Sequence, residues 1–270
     1  MRGDRFSLEK WYLDCVTAEG AAFIGYRAVL RWGWLKLGFS SSFSSDPDGV
    51  THEYQRLRRS SRPAIFGDRV DWTSKPLELL GRWQAIPDSR FAMPDCAIEQ
   101  RLLNSPNGTI DWYCVAPCAD VRIEFRDGVA MQGLGYAERL RMTIPPWLLP
   151  FRKLYWGRFC SREESLVWIH WDGDRPMTLV RHNAAEVADG AVSKLGVCAS
   201  GLALEWDDRG RLLQNRPIVS GALARLKLLS GRLPPAFKAA REEKWLSRAT
   251  LRSSGRAVPG WAIREVVHLA

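Results

Sequence analysis

The sequence predicts an all-β protein built from two β-barrels or barrel-like sandwiches. Three observations predict this fold class. Apolar and polar residues alternate with the period of two that is typical of a strand, most clearly over residues 134–144. Asn-Gly and Asp-Gly turn signals recur along the chain, as expected for hairpins. A helical apolar spacing of three and four residues is clear only over 222–229.

The first half of the chain is predicted to contain short strands joined by turns. The serine-rich stretch 40–49 has the composition of a turn and is predicted to be a surface loop or the end of a hairpin. The polar stretch 52–63 is either an edge strand or a short helix. Strands are predicted at 11–16, 21–32, 34–39, 110–115 and 121–125, with a meander of short strands over 65–103.

The second half begins after the strand at 134–144, which Pro145 and Pro146 interrupt. The predicted domains are therefore residues 1–144 and 145–270. The chain shows no internal repeat at the level of identity. Later strands are predicted at 154–160, 166–171 and 177–182, and a closing hairpin at 245–252 and 261–269.

Glu138 is the main candidate catalytic residue because it is a carboxylic acid on an otherwise apolar strand face. We expect burial to raise its pKa, so that it donates a proton near neutral pH while Tyr136 orients it. In the alternative interpretation a buried arginine such as Arg158 neutralises Glu138 in a structural role. Glu265 repeats the pattern on the last strand, with the same two interpretations. The face of Glu138 contains Leu134, Tyr136, Glu138, Leu140, Met142 and Ile144.

An ordered set of motifs resembles a known family. The motifs are WYLD, DWYCVAP, GxGYxE, PPWxLPFxxLxWGRF, VWIHW and GWAIREVV, and they span most of the chain. They are similar to the hydroxyneurosporene synthase (carotenoid 1,2-hydratase)-like family and to the related decalin-forming pericyclases. The resemblance implies two lipocalin-like (calycin) barrels. It also implies a cofactor-independent enzyme that hydrates, cyclises or isomerises an alkene.

The predicted substrate is a hydrophobic isoprenoid- or polyketide-like molecule in an apolar cavity. Trp faces can stabilise a carbocation, and the chain contains thirteen Trp. Arg158 is a candidate for binding a polar head group. Two other functions remain open: a non-catalytic lipocalin-like carrier of a hydrophobic metabolite, and a scaffold without a ligand cavity. The candidate substrate-binding residues are Trp147, Trp156, Arg158, His170 and Trp171.

The net charge of +9 is unevenly distributed. The basic segment, defined as residues 221–260, contains nine Lys or Arg and two Glu. Such a segment is either a solvated face or a contact for an anionic membrane surface. No nucleic-acid-binding motif accompanies it, so no nucleic-acid partner is expected.

Several functional classes lack their motifs in this sequence. The P-loop, HExxH and GxSxG patterns are missing, so neither a nucleotide cofactor nor a metal is expected. The six Cys are scattered and are expected to be reduced. The N-terminus has no apolar run of signal-peptide length, which predicts a cytoplasmic protein, with peripheral membrane association as an option. The sequence leaves the oligomeric state open.

Overall fold

The computed structural model describes residues 6–86, 98–206, 210–219 and 233–269, and most of them lie in antiparallel strands. The all-β prediction is confirmed. The chain divides into two compact units, with the break between Leu148 and Leu149. The predicted division into lipocalin-like domains at residues 1–144 and 145–270 stays a prediction.

The first unit contains one ten-stranded sheet. Its strands pair in the order β4-β3-β2-β1-β10-β9-β7-β6-β5, and β8 pairs with β9 alongside β7. The strands are β1 (Phe6–Val16), β2 (Ala22–Trp32), β3 (Leu35–Ser45), β4 (Thr51–Arg56), β5 (Ala64–Phe66), β6 (Arg69–Ser74), β7 (Leu79–Ala85), β8 (Ile98–Ser105), β9 (Gly108–Phe125) and β10 (Ala130–Met142).

The first sheet curls back on itself. Five strand spacings separate β2 from β6, so a flat sheet would place them about 24 Å apart. A Cβ on Gly25 of β2 would instead lie 2.6 Å from the ring of Trp72 on β6. An apolar cluster that includes Trp11, Phe23 and Trp83 lies inside this curl.

The second unit contains a sheet of the same topology. Its order is β14-β13-β12-β11-β20-β19-β17-β16-β15, with β18 paired to β19. Each strand therefore corresponds to a strand of the first sheet whose number is lower by ten, for example β11 to β1 and β20 to β10. The strands are β11 (Phe151–Cys160), β12 (Ser165–Gly173), β13 (Met177–His182), β14 (Ala185–Val187), β15 (Ala191–Val192), β16 (Gly196–Ala199), β17 (Leu202–Trp206), β18 (Arg211–Pro217), β19 (Arg241–Ser253) and β20 (Arg256–His268).

The second sheet is also curled. Four strand spacings separate β12 from β17, which corresponds to about 19 Å in a flat sheet. The rings of Trp168 on β12 and Trp206 on β17 nevertheless stack with their centroids 5.5 Å apart. The structure therefore contains a repeat of topology that is not visible in the sequence.

One local prediction holds only in part. Residues 46–49 of the serine-rich stretch form the turn between β3 and β4, as predicted for a hairpin end, but residues 40–45 belong to β3 and most of their serines are buried. The Ser40 hydroxyl donates to the carbonyl oxygen of Arg58 at 2.9 Å. A serine that is typical of turns therefore forms a hydrogen bond from a buried strand position here. The polar stretch after it begins with the edge strand β4. The predicted helix at 222–229 lies outside the described residues.

The helices that the structure describes are short. They are two 3-10 turns, Lys75–Leu77 and Pro146–Leu148, and one α-helix, Pro235–Ala239. In this part of the chain no helix is long and apolar enough to cross a membrane.

Candidate active site on the tenth strand

A local irregularity in β10 sets the positions of Tyr136 and Glu138. The register between β10 and β9 shifts between Gly135 and Glu138, as in a β-bulge. Gly135 is required because a Cβ at this position would lie 1.9 Å from the carbonyl oxygen of Asp14 on β1. The backbone N–H of Tyr136 donates to Asp14 Oδ1 at 3.1 Å. The buried Asp14 carboxylate therefore binds a backbone donor within the irregular stretch.

Glu138 receives two hydrogen bonds on one oxygen. The indole Nε1 of Trp112 donates to Glu138 Oε2 at 2.5 Å, and the Tyr136 hydroxyl donates to the same oxygen at 2.8 Å. Glu138 is 6% exposed, Trp112 is 1% exposed and Tyr136 is fully buried. This geometry fixes the orientation of the carboxyl group on β10.

Tyr136 remains a hydrogen-bond donor over a wide pH range. Burial, followed by interactions with Cys114 and Glu138, raises the pKa of Tyr136 well above its ordinary value of 10. The phenol is therefore protonated near neutral pH, so its hydroxyl can donate to the carboxyl group of Glu138.

Further aromatic side chains lie on the same face. The register pairs Tyr12 with both Tyr26 and Glu138, so the three side chains form a row across β2, β1 and β10. The Tyr12 ring packs edge-on against Tyr26 at 5.4 Å, and its centroid lies 6.1 Å from that of Tyr136. The carboxyl group thus has aromatic neighbours on two adjacent strands.

Glu265 has a different environment from Glu138. Lys244 Nζ lies 3.3 Å from Glu265 Oε2 and 2.8 Å from Glu242 Oε2, and Lys244 is fully buried. The Glu242 carboxylate also pairs with Arg216 at 2.7 Å. This ion network favours the structural interpretation of Glu265, and its catalytic role stays a prediction.

The pKa of Glu242 shows how strongly this network stabilises the charged form of a carboxyl group. Burial alone would raise its pKa, but the Lys244 and Arg216 cations outweigh burial and lower the pKa of Glu242 from 4.5 to about 2. Glu242 is therefore ionised at neutral pH.

Two of the predicted tryptophans pack against other aromatic rings. Trp147, in the first unit, lies 4.9 Å from the ring of Trp32. Trp171, in the second unit, stacks on Phe151 with centroids 4.7 Å apart and is 2% exposed. Their predicted roles in substrate binding stay predictions.

Arg158 and His170 both lie in the second unit. Arg158 is fully buried, and its Nη1 donates to the carbonyl oxygen of Trp261 at 3.0 Å. His170 Nδ1 lies 2.8 Å from the Thr178 hydroxyl, and its Nε2 lies 3.2 Å from Asp172 Oδ1. Contacts within the protein therefore occupy both ring nitrogens of His170, and the substrate-binding roles of these two residues stay predictions.

The second unit contains a pocket of about 580 Å³. This volume lies in the range of small-molecule sites. Trp156 is the predicted substrate-binding residue that lines it. Its lining combines aromatic rings with charged side chains of both signs, and the predicted catalytic residue Glu265 is among them. The lining includes Tyr155, Trp156, Trp168, Trp206, Trp245, Lys153, Lys194, Arg264, Glu243 and Glu265.

Much of the described basic segment is paired within the protein. Lys244 is buried in the ion network, Arg252 lies 3.6 Å from Glu205, and Arg256 pairs with Glu163. Residues 220–232 lie outside the described part of the chain. The described cations therefore supply less free positive charge than the sequence count of nine indicates.

Within the described residues, no group of three or more His, Cys, Asp or Glu could hold a metal ion. The five described cysteines are free thiols. The expectation that no cofactor is needed stays a prediction.

The sequence analysis did not single out Trp112 or Asp14. Both belong to motifs of the resemblance, DWYCVAP and WYLD, so that signal was available. Asp14 also shares a strand face with Tyr12 in an otherwise apolar segment. Trp112 reaches Glu138 only through the pairing of β9 with β10, and that register is not readable from either segment alone.

Sequence comparisons assign no family to the chain. No protein-family profile matches it, and no curated protein matches it. The resemblance to the hydroxyneurosporene synthase-like family therefore stays a prediction.

Solved structures show similarity in fold. CghA, crystallised alone and with Sch210972, matches with a TM-score of 0.55 and 12% identity, over 98% of this chain and 89% of that chain. Kievitone hydratase from Nectria haematococca matches with a TM-score of 0.43 and 9% identity, over 98% of this chain and 89% of that one. At these identities the likeness concerns the fold alone, and the fold is lipocalin-like.

Proposed function

We propose that the protein is a cofactor-independent enzyme that acts on a hydrophobic, isoprenoid- or polyketide-like substrate, with Glu138 as the proton donor. The observation that carries this proposal is the buried carboxyl group whose Oε2 accepts from both Trp112 and Tyr136. An acid with this orientation suits hydration, cyclisation or isomerisation of an alkene.

The two hydrogen bonds determine which oxygen carries the proton. Removal from water disfavours a charged carboxylate, which supports a neutral Glu138 in the resting enzyme. Because Oε2 accepts two hydrogen bonds, the acid proton belongs on Oε1. After transfer of the proton, Trp112 and Tyr136 stabilise the carboxylate that remains.

Proton transfer to one alkene carbon leaves a cation on the other. The faces of Tyr12 and Tyr26, in the same row as Glu138, can stabilise this charge. Attack by water followed by loss of a proton to the Glu138 carboxylate gives an alcohol. Attack by an internal alkene gives a ring that carries the cation, and loss of a proton to the same carboxylate then gives the neutral cyclic product. Loss of a neighbouring proton to the Glu138 carboxylate gives an isomer and restores the acid.

The experiment is an incubation in D2O, with a strong chelator present, using an apolar extract of the source cells. Protonation of an alkene by an exchanged carboxyl group introduces deuterium at carbon, which mass spectrometry detects after the exchangeable positions are washed out. Glu124→Gln is the matched control, since Glu124 is an exposed acid that pairs with Arg122 on β9. We expect deuterated products from the native protein and the control but not from Glu138→Gln. Equal products from all three would exclude Glu138 as the donor.

A second candidate function is a non-catalytic carrier of a hydrophobic metabolite. The pocket of about 580 Å³ in the second unit favours it, because aromatic rings form much of its lining. Extraction of the purified protein with organic solvent tests this candidate. A carrier releases a ligand that survives incubation with the protein unchanged, whereas the enzyme converts it.

A further inference from the structure

The inner face of the first sheet has a row of side chains that is separate from Glu138. Strand register pairs Trp11 with Arg27 on one side and Arg139 on the other, and pairs Arg139 with Tyr113. The four residues thus lie side by side on β2, β1, β10 and β9. Consecutive strand residues point to opposite faces, so Arg139 projects away from the face of Glu138.

Three members of this row have buried donors without an acceptor. Among the described residues, Trp11 Nε1, Arg27 Nε and Arg139 Nε have no hydrogen-bond partner. Trp11 is fully buried and Arg27 is 6% exposed. An unsatisfied buried donor costs about 1–3 kcal/mol. Three such donors in one row therefore point to an acceptor that comes from outside the chain.

Positive charge is concentrated around the same row. Arg27 Nη1 donates to Glu9 Oε1 at 2.6 Å, and Arg62 Nε lies 3.9 Å from the same oxygen. The guanidinium groups of Arg62 and Arg139 each lie 5.9 Å from the centre of the Trp11 ring. Arg27, Arg62 and Arg139 outnumber the Glu9 carboxylate, which leaves this face positively charged.

The titration of the arginines agrees with this charge balance. Burial is the main cause that lowers the pKa of Arg27 and of Arg139 below the ordinary value of an arginine, and the charge of Arg62 lowers both further. A bound anion would offset the repulsion between these groups.

We propose that this row is a binding site for an organic carboxylate whose apolar body lies against the rings of Trp11 and Tyr113. A planar guanidinium group can bind a carboxylate through two parallel hydrogen bonds, and the indole N–H of Trp11 adds one more donor. The Arg139 guanidinium lies 4.0 Å from the centre of the Tyr113 ring, so charge and aromatic surface are adjacent. Inorganic phosphate matches the charge but makes no use of the rings.

The second unit contains a counterpart of the Arg139–Tyr113 pair. Arg264 on β20 pairs in register with Trp245 on β19 and lies 4.9 Å from the centre of its ring. Gly135 and Gly260 each precede their arginine by four residues, and a Cβ on either would strike a carbonyl oxygen of the neighbouring strand. Arg264 and Trp245 line the pocket of about 580 Å³, so the same pair of side chains borders a ligand-sized space in the other unit.

The test is calorimetric titration with three probes: 2-naphthoate, its neutral analogue 2-naphthalenemethanol, and inorganic phosphate. We expect 2-naphthoate to bind the native protein at least tenfold more tightly than either of the other two. Arg139→Gln should abolish the preference for naphthoate over the alcohol. Trp11→Phe should lower the affinity for naphthoate about threefold. Arg122→Gln removes the same charge from an exposed ion pair on β9 and should change nothing.

A second readout locates the ligand. In protein labelled with 5-fluorotryptophan, the fluorine resonance of Trp11 is identified by its loss in Trp11→Phe and should shift on addition of naphthoate. Arg264→Gln should leave the shift of the Trp11 resonance, and the affinity read from that shift, unchanged. If circular dichroism shows that Arg139→Gln does not fold, Arg139→Lys takes its place. The affinity for naphthoate should then fall at least threefold, because lysine lacks the planar guanidinium group.

Four results would overturn the proposal. Two concern the ligand: no saturable binding of naphthoate, or binding of phosphate as tight as that of naphthoate. Two concern the site: an affinity for naphthoate that the Arg139 variants leave unchanged, or one that is lost in Arg264→Gln while the Trp11 resonance does not shift. None of these results bears on Glu138, because Glu138 lies on the opposite face of β10.

Discussion

Removal of the Lys244 charge should strongly destabilise the second unit. Lys244 is fully buried, and its Nζ lies 2.8 Å from Glu242 and 3.3 Å from Glu265. Lys244→Met keeps a long unbranched side chain but removes the cation that the largely buried carboxylates of Glu242 and Glu265 share. Breaking a buried ion pair on one side costs about 3–5 kcal/mol, and we expect a loss of this size in the free energy of unfolding.

The pH dependence gives a second measure of the same network. The pKa of Glu242 falls from 4.5 to about 2 because the Lys244 and Arg216 cations outweigh burial. This difference corresponds to about 3 kcal/mol of stability. Since the folded pKa is the lower one, the stabilisation is fully present above about pH 4.5 and is lost as the pH falls through about 2. In Lys244→Met this acid-dependent loss should be smaller.

The assay is urea unfolding near pH 7 and near pH 3, followed by circular dichroism. Arg252→Met is the matched control, because Arg252 pairs with Glu205 at 3.6 Å and both side chains are at least 60% exposed. Exposed pairs contribute about 0–1 kcal/mol, so the control should stay close to the native protein. Equal stability of Lys244→Met and Arg252→Met would refute the argument that this network holds Glu265 in a structural role.

Three further predictions concern the first unit and the basic segment. Tyr136→Phe removes one of the two donors to Glu138 and should lower turnover about tenfold while leaving the sheet folded, as measured by kinetics and circular dichroism. Gly135→Ala should cost more than about 3 kcal/mol in urea unfolding, since its Cβ would strike the backbone of Asp14; a loss below about 1 kcal/mol would show that β1 and β10 separate easily. The segment 221–260 should bring the protein to anionic vesicles at low salt but not at molar salt, where charges are screened within roughly 3 Å; equal sedimentation with neutral vesicles would mean that its charge is only a solvated face.

Alternation of side chains was sufficient to locate the strands that matter most. It placed Tyr136 and Glu138 on one face of one strand, and the structure joins them by a hydrogen bond. Two residues that are two positions apart on a strand share a face whatever the pairing of the sheet. This pair could therefore be predicted from the sequence.

Contacts that depend on register were not accessible. Trp112 binds Glu138 across 26 residues, and the bulge between Gly135 and Glu138 changes which residues face each other. The pairing of Lys244 with Glu265 likewise follows from the register of β19 and β20. The sequence showed that Glu265 sits on an apolar strand face, but only the neighbouring strand supplies its cation.

Composition misled in the segment that became β3. Serine is typical of turns, yet these serines lie in a ladder between β2 and β4, and Ser40 binds a backbone carbonyl through its hydroxyl. The thirteen Trp raised a related difficulty, because large rings fill a barrel interior as readily as they bind a substrate. Trp171, stacked on Phe151, is an example of the first use.

The most direct test of the central claim is the turnover number of Glu138→Gln on the substrate found in the deuterium experiment. The Gln side chain keeps an oxygen that can accept from Trp112 and Tyr136, so the variant should fold with an unchanged melting temperature. It has no carboxyl proton to transfer, and we expect turnover to fall by about two orders of magnitude or more, with Glu124→Gln at the native rate. A folded Glu138→Gln that turns over at the native rate would contradict the assignment of Glu138 as the acid.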